Sequence, residues 1–187
     1  MTSRTTAPTP SALLIIDMIN LFDFPQGKAL ARNALAAARR IDALRRRYRR
    51  AGAPIVYVND NFMKWQADFN EIVALCSHPA SPGAQVATML RPEPEDYFIL
   101  KPKHSAFLAT PLPILLAKLG ATRLVLTGVS AESCIAATAM DANMREFDVE
   151  IPRDCVASSS PARSRQALEL LACAGRVRVL ASSAVRP

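Results

Sequence analysis

The stretch from Thr122 to Asp141 constrains the fold more tightly than any other part of this chain. Leu124-Val125-Leu126 is a short apolar run that ends at Thr127-Gly128, so it reads as a buried strand closed by a turn. Beyond Ser130, the segment Glu132-Ser133-Cys134-Ile135-Ala136-Ala137 has the alanine-rich composition of a helix. Strand, tight turn and helix in so few residues put Cys134 in the first helical turn, at the carboxyl edge of a sheet. Backbone N–H groups without partners converge there, and the positive end of the helix dipole favours an anion. A thiolate is such an anion, which predicts a depressed thiol pKa and makes Cys134 a candidate nucleophile. The competing role for a cysteine at a packed strand–helix junction is that of a small hydrophobe.

The remainder of the chain repeats this alternation. Ser11 to Asp17 is an unbroken apolar run closed by an acid, the pattern of a central parallel strand covered on both faces. Asp17 then stands at the carboxyl end, where ligands sit in open α/β sheets, although a turn or helix-cap acid has the same signature. The loop Asn20 to Pro25 leads into a helix that stops at Gly52, before Pro54. Pro54 to Asp60 reads as the second strand. Residues 61–82 form a long excursion with a helix expected around Trp65 to Cys76, and loops of that size usually cover a site. Pro79, Pro82, Pro92 and Pro94 predict irregular chain from Ser77 to Glu95, with a short extended piece near Val86 to Leu90 and His78 on a surface loop. Asp96 to Leu100 is the third strand and runs into Lys101-Pro-Lys-His-Ser-Ala-Phe107, which places Lys103 just past a strand end, on the same rim as Asp17 and Cys134. A helix over Pro111 to Leu119, a strand over Phe147 to Ile151, a helix between Pro161 and Gly175 and a strand over Val177 to Leu180 complete the pattern. Alternation at this spacing implies an α/β fold of three layers, α-β-α, around a six-stranded, mostly parallel, doubly wound sheet.

Length and composition set the outer bounds. At 187 residues the chain suits one domain over 11–187, preceded by a polar lead over 1–10 that carries two prolines and no hydrophobic signal core. No apolar run is long enough to cross a bilayer, so a cytoplasmic protein without a membrane partner is expected. The four cysteines (Cys76, Cys134, Cys155, Cys173) lack zinc-type spacing and are expected to be reduced thiols. Much of the net charge of +7 comes from Arg39, Arg40, Arg45, Arg46, Arg47, Arg49 and Arg50. Leu30, Ala34, Ala37, Ile41, Leu44 and Tyr48 recur at spacings of three and four, so they form one apolar stripe and leave the arginines on the outer face of a helix. Without an aromatic platform or recognition motif, this charge does not specify nucleic acid as a partner.

An acid, a lysine and a cysteine at three strand ends form a coherent device. The carboxylate takes the thiol proton and hands it to a leaving amine, while the ammonium favours both anions by charge attraction. Backbone N–H groups at the helix start hold the oxyanion that forms when sulfur attacks a carbonyl. The chemistry is acyl transfer to sulfur and then to water, which amounts to amide hydrolysis.

At these residues the chain resembles the isochorismatase-like cysteine hydrolases, the superfamily that includes nicotinamidases and N-carbamoylsarcosine amidohydrolases. The resemblance runs from Ala12 to about Leu180 and rests on Leu-Leu-Ile-Ile-Asp17, Lys-Pro-Lys103-His-Ser-Ala-Phe, Leu-Thr-Gly-Val129-Ser130-Ala-Glu-Ser-Cys134, Asp141 and Pro152-Arg153-Asp154-Cys155. It implies strand order 3-2-1-4-5-6, a homodimer or homotetramer, and a triad of Asp17 as general base and acid, Lys103 as electrostatic partner and Cys134 as nucleophile. It further implies a cis peptide between Val129 and Ser130, with the amides of Ser130 and Cys134 as the oxyanion hole. Nicotinamidases carry an Asp-x-His pair after the second strand, where this chain reads Asp60-Asn61-Phe62, and only His78 and His104 are present. Two histidines make a poor zinc site, so no metal and no cofactor are expected, and nicotinamide is an unfavoured substrate. Phe22, Asn61, Phe62, Trp65 and Phe107 are candidates to line the pocket, each with packing as the competing role. The expectation is a metal-free hydrolase cleaving a C–N bond of a small amide, carbamoyl or ureido compound. Vinyl-ether hydrolysis of the isochorismate kind, which needs Asp17 but not Cys134, is the alternative enzyme, and a non-catalytic interaction role is the alternative outside enzymology.

Overall fold

The computed structural model describes residues 10–62 and 65–187. Apart from Pro10, the N-terminal lead lies outside the described residues. The elements follow the expected alternation. Strand β1 (Ser11–Ile16) leads to the long helix α1 (Gly27–Arg50), then to β2 (Ile55–Asp60), and the short helices α2 (Phe69–Cys76) and α3 (Ala84–Met89) precede β3 (Tyr97–Lys101). Helix α4 (Leu112–Leu119) connects to β4 (Arg123–Val129), and α5 (Ala136–Met144) connects to β5 (Asp148–Pro152). A two-residue strand β6 (Val156–Ala157), helix α6 (Pro161–Ala172) and strand β7 (Val177–Leu180) finish the sheet.

The sheet is parallel throughout, in the order β3-β2-β1-β4-β5-β7, with β6 paired to the end of β4. The expected order is therefore observed once Val177–Leu180 is counted as the last strand. Two residues give too little periodicity to reveal β6 in the sequence. Alternating side chains of the central strands feed two separate cores. Leu13 and Ile15 of β1 join Leu30, Ile41 and Tyr48 under α1, whereas Leu14 and Ile16 join Leu116, Ile135 and Leu168 on the opposite face. Both faces are covered, which is why β1 reads as an unbroken apolar run.

Three local expectations are corrected. The extended piece near Val86 to Leu90 is helix α3, because Val86 and Ala87 face α1 and the element caps itself through Leu90 N–H to Val86 O at 3.0 Å. Helix α2 begins at Phe69, not near Trp65, because Asp68 and Glu71 close a capping box on its first turn. The arginine face of α1 is not uniformly solvated. Arg45 is buried and donates to Asp42, to the Tyr57 hydroxyl and to the carbonyls of Met89 and Arg91, so it ties α1 to the end of α3. Arg49 pairs with Glu93 and Asp96 in the same way.

Candidate active site

The site lies at the carboxyl edge of the sheet, where β3, β1 and β4 end. Leaving β1, the chain turns at Asp17 into the left-handed region, φ 53°, which aspartate tolerates better than most residues. This turn sends the carboxylate back over the end of β2. One oxygen, Oδ1, accepts the Asp60 N–H at 2.7 Å, and the other, Oδ2, lies 2.9 Å from Lys101 Nζ. Lys101 is the last residue of β3, in register with Asp60. Asp17 therefore lies two strands away, about 10 Å at ordinary strand spacing, a gap that only a long side chain bridges. Lys101 Nζ also lies 3.6 Å from Cys134 Sγ.

Cys134 is carried by a five-residue π-helical turn, Ala131–Ile135, that opens directly into α5. The N–H groups of Ser133 and Ile135 both return to the Ser130 carbonyl, at 3.1 and 3.2 Å. The peptide between Val129 and Ser130 is cis. Gly128 makes the approach possible: at φ 118°, opposite Ile16, a Cβ would stand 2.0 Å from the Ile16 carbonyl oxygen. Behind the turn, the buried Ser158 donates to Glu132, whose other carboxylate oxygen is 3.5 Å from Arg163 of α6. The surface groove between α1 and α6, lined in part by Asn33, Arg40, Arg153 and Arg165, contains none of Asp17, Lys101 and Cys134.

The lysine of this cluster differs from the one expected. Lys101, fully buried, meets the carboxylate and the sulfur, while Lys103 is exposed beyond the bend at Pro102. The signal that identifies Lys101 is the proline after it, since a residue before proline is pushed to extended backbone and so continues the strand. With β3 extended to Lys101, Ile99 and Lys101 share one side, and Ile99 is buried.

The protonation pattern also corrects an expectation. Burial first, and the Asp17 carboxylate second, push the Cys134 thiol up to about 12, and the Lys101 ammonium offsets only part of this. Proximity to a helix start does not make the thiol acidic here, because burial, and after it the Asp17 charge, outweigh it. Burial also raises the Asp17 carboxyl above its ordinary value, with the Lys101 ammonium as the main opposing influence. Burial works against the Lys101 ammonium, but the Asp17 charge and hydrogen bond, with the Cys134 and Asp60 charges, together outweigh it and the net shift is upward. At neutral pH the thiol is therefore neutral, and the Asp17 carboxyl holds a proton more readily than an exposed one.

These features place two backbone motifs and three chemical groups together on a sheet of known order. A model of the isochorismatase domain matches residues 11–183. The chain belongs to the isochorismatase family. Relatives within the family include an uncharacterized isochorismatase family protein of Bacillus subtilis, YaaI, 40% identical over 160 residues that cover 86% of this chain and 87% of that protein. The streptothricin hydrolase of Streptomyces noursei is 30% identical over 162 residues, covering 84% of this chain and 61% of that protein. Among solved structures, the N-carbamoylsarcosine amidase of Thermoplasma acidophilum superposes with a TM-score of 0.70 at 25% identity, covering 95% of this chain and 99% of that one. The chain is thus an isochorismatase-family hydrolase.

Of the five residues expected to line a pocket in this isochorismatase fold, two are core. Phe22 is 1% exposed in the α1-side core, and Phe107 is 3% exposed in the opposite core, beside Phe147 and beneath the Arg145 guanidinium. Asn61 is different. It is 94% buried, its Oδ1 accepts the Trp65 N–H at 3.0 Å, and its Nδ2 has no partner among the described residues. Its backbone N–H bonds to the Lys101 carbonyl, which fixes it beside that lysine. Phe62 is half-buried and Trp65 exposed at the same rim. His104 was read from the sequence only as a poor metal ligand, yet its Nδ1 stands 3.9 Å from Cys134 Sγ. Cys155 lies buried in the α1-side core, whereas Cys134 packs against the other core, which argues against a thiol pair. No helix among the described residues is long and apolar enough to cross a membrane.

Proposed function

We propose that this chain is a cysteine hydrolase that cleaves a C–N bond of a small amide, carbamoyl or ureido compound through a thioester on Cys134. The observation that carries this reading is the buried contact of Cys134 Sγ, Lys101 Nζ and the Asp17 carboxylate. Cys134 attacks the carbonyl carbon while Asp17, its basicity raised by burial, takes the thiol proton. Lys101 keeps its charge throughout and holds the carboxylate in place. The amides of Ser130 and Cys134 receive the oxyanion at the start of the helical turn. As the C–N bond breaks, Asp17 returns the proton to the leaving nitrogen. Water then attacks the thioester and releases the acid. The thiol need not be ionised beforehand, because proton transfer accompanies attack. No step requires a metal.

The name of the N-carbamoylsarcosine amidase supports C–N chemistry for this chain, and the orphaned Asn61 Nδ2 supports a substrate with an oxygen acceptor beside the reacting carbonyl. Phe62 and Trp65 supply apolar surface at the mouth. The reading is tested by assaying ammonia release from a panel of small amides, carbamoyl compounds and ureido acids. Release that disappears in Cys134→Ala with the fold intact supports it. Ammonia release that survives in Cys134→Ala would remove the nucleophile, and cleavage of a vinyl ether that survives in Cys134→Ala but not in Asp17→Asn would instead indicate acid chemistry of the isochorismate type.

A further inference from the structure

His104 has no part in the scheme above, yet it is the exposed group at the nucleophile. Its Nδ1 lies 3.9 Å from Cys134 Sγ and 3.2 Å from the Ser133 hydroxyl, so this ring nitrogen is turned toward the site. Asp17 has the opposite situation: it is 5% exposed, and both of its oxygens are engaged, by the Asp60 amide and the Lys101 ammonium. The leaving group departs and water enters from the solvent side, which is the side His104 occupies. The bend from Pro102 onward fixes this arrangement, because it carries His104 over the π-helical turn while Ser105 bonds Asp141 and the Ala106 N–H bonds Thr138 Oγ1 on α5.

We infer that His104 is the general base for hydrolysis of the thioester, so that the two halves of the reaction use different bases. This rests on the thioester reading of Cys134. In the second half, His104 Nδ1 takes a proton from water as the water oxygen bonds to the thioester carbonyl carbon. The tetrahedral intermediate collapses, the C–S bond breaks, and the sulfur leaves with the bonding pair. The imidazolium returns the proton to the sulfur, restoring a neutral thiol and a neutral imidazole. Asp17 serves acylation and His104 serves deacylation.

p-Nitrophenyl acetate separates the two steps. Its p-nitrophenolate release reports acylation, and peptide mass spectrometry of the Cys134 thioester reports deacylation. In His104→Gln the acylation rate should stay within a few-fold of wild type, while loss of the acetyl group slows by about a hundredfold, the lower range for loss of general base catalysis. The thioester should therefore accumulate in that variant. Equal deacylation rates in His104→Gln and wild type would overturn the assignment of His104, and so would parallel losses in both steps, which signal a structural role. Should no thioester form on Cys134 even in the wild type, the nucleophile reading fails and this inference fails with it. That result is distinct from a thioester that forms and decays normally without His104.

Discussion

One buried ion pair joins α1 to the face of the sheet and another lies at its carboxyl rim, and the difference between them separates structure from chemistry. Arg45 and Asp42 lie within α1, and the guanidinium spends its donors on Asp42, the Tyr57 hydroxyl and two carbonyls. Every one of these partners is fixed protein, so the pair is a closed joint between α1, β2 and the end of α3. Lys101 and Asp17 come from different strands, and the third group at the ammonium is a thiol. A thiol is a weak hydrogen-bond partner, so this pair is imperfectly compensated. On the proposed thioester scheme, its worth lies in the charge it presents to a reacting carbonyl. A saturated ion pair anchors, and one that faces a thiol has a side left open to a ligand.

The sharpest way to break this comparison is Lys101→Met against Lys103→Met. The first should lower hydrolysis by about a thousandfold, the scale of losing one preorganised electrostatic group, and the second should leave kcat/KM within twofold. Comparable losses in both would return the lysine role to Lys103. Next comes Arg45→Met, which takes the donor from the Met89 and Arg91 carbonyls while Asp42 keeps Arg46, and should cost about 1–3 kcal/mol in urea unfolding while kcat per folded molecule is unchanged. A variant as stable as wild type would show that the joint is dispensable. The smallest effect concerns the thiol. With its pKa pushed up to about 12, Cys134 should react with iodoacetamide at a rate that climbs with pH through 8 and 9 without levelling, measured in a Cys173→Ser background. Asp17→Asn removes the opposing charge, lowers the thiol pKa and should speed labelling at pH 8 by about tenfold. A plateau below pH 8 in the wild type would mean that the helix start outweighs burial and Asp17.

Residues that act through local pattern were legible without coordinates. Apolar runs marked β1, β2 and β4, and the acid at position 17 and the cysteine at position 134 fell at strand ends because strand and turn signals bracket them closely. Lys101 was obscured by a single-residue error in the end of β3. Two lysines flank Pro102, and the bend after that proline, not the composition, decides which of them turns inward. Phe22 and Phe107 looked like pocket residues because an aromatic side chain beside a loop reads the same whether it faces a ligand or a core. Arg45 looked solvated because the apolar stripe assigns a helical face but does not register what α3 later places over it.

The sequence by itself determined the parallel α/β sheet, its strand order through a family likeness, and the presence of an acid, a lysine and a cysteine along one edge. Those are consequences of periodicity and turn chemistry, which act over a few residues. Only the tertiary structure decided which lysine reaches Asp17, that His104 stands at the sulfur, and that the thiol is neutral at rest. Those depend on distances of a few ångströms between segments far apart in the chain, and on how deeply the surrounding elements bury the charges.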